Sequence, residues 1–153
     1  MQESCSHQTC LIEESSVSSS DPESTIDRDA RAERSRQLAL AAARTASHNG
    51  GRDIVVLDMR KQSSLFDYFV IVSGTSRRQL HAISEDIDHT LEDEMQDKRM
   101  GIEGYDRSRW ILLDYGNVVI HMFDDEMREY YALQALWADA VPVDLTDVLE
   151  PPI

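Results

Sequence analysis

The chain has 153 residues and a formal net charge of −14 at pH 7, a length that holds one domain of ordinary size with a tail. The acidic balance argues against nucleic-acid binding through a basic face and against attraction to an anionic membrane surface. It suits a basic protein partner, or it serves solubility alone.

At 41% hydrophobic, the chain can bury a core only if its polar residues are concentrated elsewhere, and the first thirty or so residues take much of the Ser, Asp and Glu. Residues 1–26 therefore read as a disordered, acidic, Ser-rich extension, because this composition does not repay the entropy of ordering. Both cysteines, Cys5 and Cys10, fall in it, so no disulfide staples the fold. Cys5, His7 and Cys10 offer three soft ligands to zinc, but a fourth is missing. No apolar run is long enough to span a bilayer, and the N-terminus lacks the regions of a secretory signal. A soluble cytoplasmic protein is expected.

The segment 27–47 is dense in Ala, Arg, Glu and Leu and predicts a helix. Ala32, Leu38, Ala41, Ala42 and Thr45 make a shallow apolar stripe, and Asn49-Gly50-Gly51 ends the helix through left-handed conformations. Asp53 to Met59 predicts a strand, its run Ile54 to Leu57 suggesting burial on both faces. Leu65 to Ser73 predicts a second strand. Thr75 or Ser76 then caps an amphipathic helix with Leu80, Ile83, Ile87 and Leu91 at helical spacing. A brief strand near Ile102 is expected next.

Trp110 to Phe123 predicts a hairpin around Gly116-Asn117, two residue types that accept positive φ. With those two as the loop, Tyr115 pairs with Val118, Leu113 with Ile120 and Ile111 with Met122. One face then carries Ile111, Leu113, Tyr115, Val118, Ile120 and Met122, and reads as core. The other carries Trp110, Leu112, Asp114, Val119, His121 and Phe123. That face is mostly apolar but holds a carboxylate and an imidazole, and it asks for a functional explanation. Asp124, Asp125 and Glu126 place negative charge at the start of a helix expected over 126–138, with Tyr130, Tyr131 and Trp137 on its core side. Pro142 stops it, and 144–153 is a tail. The order of elements implies a mixed sheet flanked by helices, class α+β or loosely α/β.

Three stretches together carry a resemblance: LFDYFVIVSGTSRRQLHAI, then EGYDRSRWILLDYGNVVIHMF, then DDEMREYYALQALWADA. They are similar to the ribosomal silencing factor family, RsfS, also called Iojap-like. The match runs from about Leu38 to Val143, several blocks in order, which is more specific than a lone motif. It lies within the predicted domain, 27–143. The resemblance implies a mixed sheet with helices, nucleotidyltransferase-like without the active site, in a protein that acts as a dimer in some members. It implies binding to the large ribosomal subunit through ribosomal protein fourteen of that subunit, which blocks joining of the small subunit and represses translation when nutrients are short. Organellar members are associated with late large-subunit assembly.

Two catalytic readings compete with this. Ser73-Gly74-Thr75-Ser76 lies between a strand and a helix, where nucleotidyltransferases cradle phosphate. A metal-dependent nucleotidyltransferase-like enzyme is therefore the alternative. It needs paired carboxylates for divalent metal, yet Asp86 and Asp88 point about 200° apart around a helix. Asp114 and His121 share a hairpin face, diagonal to one another, and suggest a dyad. No nucleophile stands beside them, and a hydrogen-bonded pair stabilising the hairpin explains them more simply. No catalytic residue, cofactor or metal ligand is expected. The expected partner-binding residues are Trp110, Leu112, Asp114, Tyr115 and His121. Trp110 anchors the set as an aromatic with polar neighbours, and Tyr115 at the turn packs its ring while its hydroxyl reaches out.

Overall fold

The computed structural model describes residues 22–107 and 109–149, with side chains from residue 25 onward. The expected disordered extension and its two cysteines lie outside these, apart from residues 22–26, which are helical. The chain divides into two units, Met1–Arg34 and Ser35–Ile153. The first helix, α1 (Pro22–His48), runs through the boundary, and it starts earlier than the helix formers of 27–47 predict.

Ser35–Ile153 is built on a six-stranded sheet. Its strands are β1 (Arg52–Asp58), β2 (Tyr68–Gly74), β3 (Gly101–Glu103), β4 (Trp110–Asp114), β5 (Val118–Asp124) and β6 (Val141–Pro142), in the spatial order β3-β4-β5-β2-β1-β6. β2 and β5 run parallel and every other pair antiparallel. The class is thus α+β with a mixed sheet, as expected. All seven residues of β2 are buried, because it lies between β5 and β1 with both faces covered. β1 is less buried than its apolar run suggests: Ile54 and Val55 are half-exposed, since it is flanked on one side only by the two-residue β6.

The second part of α1 and the helix α2 (Arg77–Asp88) cover one face of the sheet. The buried stripe on α1 is Ser35, Leu38, Ala39, Ala42, Ala43 and Ala46, at helical spacing. It keeps Leu38 and Ala42 of the expected stripe but is centred on other alanines. These small side chains allow a close approach, and Gly51 extends it: a Cβ there would lie 2.8 Å from both the Ala46 carbonyl oxygen and Val72 Cγ1. Ser35 Oγ donates to Asp67 Oδ2 at 2.8 Å, both buried, and ties α1 to the start of β2. Ser76 caps α2 by accepting from Gln79 N–H at 3.1 Å. α2 passes into a π-helical turn, His89–Glu94, which carries buried Leu91. The C-terminal residues Val143, Leu145 and Leu149 pack on this same core.

The hairpin has the expected register: Leu113 opposite Ile120, Ile111 opposite Met122, and the Tyr115 N–H donating to the Val118 carbonyl at 2.9 Å. Of the two loop residues only Gly116 adopts positive φ, at 86°, as at the first central position of a type II′ turn. Ile111, Leu113, Tyr115, Val118, Ile120 and Met122 all face the α1–α2 core. The opposite face of the sheet carries a second, aromatic-rich cluster of Leu57, Met59, Phe69, Ile71, Val119 and Phe123.

Candidate functional site

The second face is where the sheet is incompletely covered. Along β5, which has strands on both sides, Val119, His121 and Phe123 are buried, whereas Trp110, Leu112 and Asp114 on β4 are half-exposed. β4 has only the three-residue β3 beyond it, so its outward side chains border solvent. Gly104, just after β3, has φ +78°, and a Cβ there would lie 2.0 Å from the Trp110 carbonyl oxygen. A side chain at 104 would therefore displace the start of β4 and Trp110 with it.

The chain after β5 is not the single helix that 126–138 predicts. Asp124 caps α3 (Asp125–Tyr131), its Oδ1 accepting from Met127 N–H at 2.8 Å. Burial opposes ionisation of Asp124, but the Met127 N–H and Arg109 more than offset it and hold the carboxyl below the usual range. At Ala132 the backbone turns left-handed, φ +46°, and only a short helix follows, α4 (Leu133–Leu136). The break reverses the expected burial. Tyr130 is 75% exposed, Tyr131 44% and Leu136 69%, while Trp137 stays partly buried, its ring edge-on to Phe69 at 6.0 Å. The Tyr-Tyr pair itself carried a signal: adjacent helical residues point about 100° apart, so both cannot face one core.

Tyr131 meets Trp110, and Tyr130 meets Tyr131. The Trp110 ring lies 4.5 Å from that of Tyr131 and 5.0 Å from that of Phe123, and Tyr130 stands edge-on to Tyr131 at 5.1 Å. The result is a continuous aromatic row from buried Phe123 out to exposed Tyr130. Arg109 borders it, with Nε 3.0 Å from Asp124 Oδ2 and Nη2 3.1 Å from Glu126 Oε2. An aromatic patch with a charged rim has the composition of a protein-docking surface.

The remaining expected residues have other roles. His121 is buried, and its Nδ1 accepts from the Trp110 indole N–H at 3.3 Å. Burial pushes its pKa down to about 4, so the ring is neutral at pH 7. Because Nδ1 accepts, the proton resides on Nε2, which has no hydrogen-bond partner among the described residues. Asp114 does not pair with it: Asp114 Oδ1 accepts from Gly116 N–H at 2.8 Å and stabilises the turn. The dyad suggested by their shared face is therefore absent, because each side chain has a nearer partner. Tyr115 is corrected too. Its ring is buried on the α2 side, and its hydroxyl reaches inward to donate to Asp88, which also pairs with Arg99. Burial, and then the Asp88 carboxylate, push the Tyr115 phenol up. Burial likewise raises the Asp88 carboxyl, against the hydrogen bond from Tyr115 and the charge of Arg99. Of the five expected contact residues, Trp110, Leu112 and Asp114 reach the surface, and Tyr131 and Tyr130 join them.

The Ser73–Ser76 turn is occupied by its own fold. Ser73 Oγ accepts from Arg128 Nη1 at 2.8 Å, Thr75 N–H donates to Gln79 Oε1 at 2.7 Å, and the Ser76 hydroxyl caps α2. Among the described residues no three His, Cys, Asp or Glu side chains converge as a metal site. Cys5, His7 and Cys10 lie outside the described residues. A groove of about 690 Å³ lined by Glu85, Asp88, Arg99, Tyr105 and Arg107 shares no lining residue with the aromatic row. Its partly buried carboxylate, Asp88, is already engaged by Arg99 and Tyr115. No described helix is long and apolar enough to cross a membrane.

Comparison with known proteins supplies a context for this surface. The family described as "Ribosomal silencing factor during starvation" matches residues 32–152. The ribosomal silencing factor RsfS of Bacillus subtilis is 43% identical over 111 residues, covering 72% of this chain and 92% of that protein. The mouse protein named "Mitochondrial assembly of ribosomal large subunit protein 1" is 40% identical over 88 residues, covering 56% of this chain and 39% of that protein. Among solved structures, a Chromobacterium violaceum protein superposes with a TM-score of 0.65 at 32% identity, covering 68% of this chain and 86% of that one. A Bacillus halodurans protein superposes with a TM-score of 0.59 at 34% identity, covering 71% and 95%.

Proposed function

Because the chain belongs to the ribosomal silencing factor family, we propose that it docks on the large ribosomal subunit through the Trp110–Tyr131 surface and hinders joining of the small subunit. The partner on that subunit is ribosomal protein fourteen, and the outcome is repression of translation in the cytoplasm. The mechanism is steric: a domain seated on the joining face of one subunit excludes the other. It needs no catalytic group, and the domain works as one copy or as a homodimer.

The observation that carries this reading is the solvent-facing aromatic row, Trp110 packed at 4.5 Å and a tilt of 49° against a 44% exposed Tyr131, with a 75% exposed Tyr130 beyond it. Two exposed tyrosines in line with a half-exposed tryptophan are costly to leave in water, and such side chains dominate binding energy when covered. The net charge of −14 adds complementarity to a basic ribosomal protein, which speeds encounter. The name of the mouse relative also refers to the large ribosomal subunit. Leu112 and Asp114 border Trp110 on the same strand face and complete the proposed contact.

The test is co-sedimentation with purified large and small subunits. Binding to the large subunit alone, lost in Trp110→Ala and accompanied by fewer joined ribosomes in the wild type, supports the reading. Equal binding of wild type and Trp110→Ala overturns the assigned surface.

A further inference from the structure

His121 contributes one thing to the second face that a hydrocarbon cannot: an acceptor for the Trp110 indole. Its ring is held on every side. The backbone of β5 pairs His121 with Leu112 of β4 and with Ile71 of β2. The Phe69 ring lies 4.9 Å away at 70°, and the side chain is 5% exposed. Within this packing, Nδ1 receives the indole N–H at 3.3 Å while Nε2 has no partner among the described residues. A buried unpaired donor destabilises a fold. A leucine would pack in the same apolar cluster without that penalty, so filling space does not account for the imidazole.

Trp110 has the complementary need. Its ring is half-exposed and meets Tyr131 and Phe123 at tilts of 49° and 31°, contacts that a rotated indole could also make, whereas a hydrogen bond to the indole N–H fixes one edge of the ring. An indole without an inner acceptor would turn its N–H to water and sample other rotamers. Ordering such a side chain at the moment of binding lowers affinity, and holding it beforehand removes that loss. We propose that His121 is a positioning residue for docking: by accepting the indole N–H it holds Trp110 in its binding orientation before the partner arrives. This inference rests on the docking reading given above.

Nitrogen–proton correlation spectra of the free protein, together with binding to purified large subunits, test it. Trp110 and Trp137 are the two tryptophans of the chain, and Trp137 serves as the internal reference. In the wild type the Trp110 indole N–H is expected to exchange slowly with solvent. His121→Leu should expose it to fast exchange and weaken subunit binding about five- to tenfold, the effect of one lost hydrogen bond. His121→Asn, whose side-chain oxygen takes the place of Nδ1, should restore both. If His121→Leu does not fold, His121→Gln serves as the loss variant, since its oxygen takes the place of Nε2 instead. Unchanged indole exchange and unchanged binding in the loss variant overturn the proposal, and so does failure of His121→Asn to restore either. Should Trp110→Ala bind like the wild type, the docking surface is wrong, and the spectra of the free protein still decide whether His121 holds the indole.

Discussion

Tyr131 and Trp110, one following β5 and the other opening β4, come together with ring centroids 4.5 Å apart and an angle of 49° between their planes. Their contact joins the hairpin to α3 and carries the aromatic row into solvent.

Trp110→Ala should weaken binding to large subunits by at least tenfold, as loss of a central aromatic anchor does. Tyr131→Ala should weaken it less. The double variant should fall short of the sum, with a coupling of about 0.5–1.5 kcal/mol for the aromatic pair. Titrated co-sedimentation of the four proteins gives the cycle.

Ala132 is held at φ +46°, a conformation that costs an L-residue with a Cβ roughly 1–2 kcal/mol. Ala132→Gly should therefore stabilise the protein by about 0.5–1 kcal/mol after the added chain entropy of glycine is subtracted. Ala132→Val should destabilise it. Urea unfolding monitored by tryptophan fluorescence reads both, and equal midpoints for Ala, Gly and Val would show that the left-handed turn is not populated.

His121 has its folded pKa depressed by burial to about 4, from the ordinary histidine value of about 6.5. The neutral ring is favoured in the folded state, so the unfolded chain takes up the proton first. Its contribution to stability is complete above pH 6.5, declines as pH falls below that, and is lost by about pH 4. The loss is roughly 3 kcal/mol over that window, at about 1.4 kcal/mol per unit. Carboxylates add their own pH dependence, so the measurement is the difference between wild type and His121→Leu in urea unfolding at pH 7 and pH 4.5. Parallel behaviour of the two proteins would show that His121 protonates without cost.

Tyr115→Phe removes the hydroxyl that donates to partly buried Asp88 while Arg99 remains. Stability should fall by about 1 kcal/mol, the usual loss for such a hydrogen bond. Subunit binding should be unchanged, because Tyr115 is buried on the face away from Trp110. Loss of binding at full stability would return Tyr115 to the contact surface.

Much of this molecule follows from local rules that a sequence displays. Alternation around Gly116 determined the hairpin register and sorted twelve side chains between two faces, because a strand has a period of two and a two-residue loop leaves no slack. Ser76 and Asp124 announced their helix starts because capping acts within three residues. The family pattern lay in contiguous blocks. What only the tertiary structure decided depends on groups distant in the chain. The parallel pairing of β2 with β5 buried His121 and gave it Phe69 as a neighbour. The helix stopped at the left-handed Ala132 and left Tyr130 and Tyr131 exposed, although REYYALQALW consists largely of helix formers. Asp114 and His121 shared a face as alternation requires, yet each bonded elsewhere, since face is set by backbone period and partner by the side chains that happen to surround it.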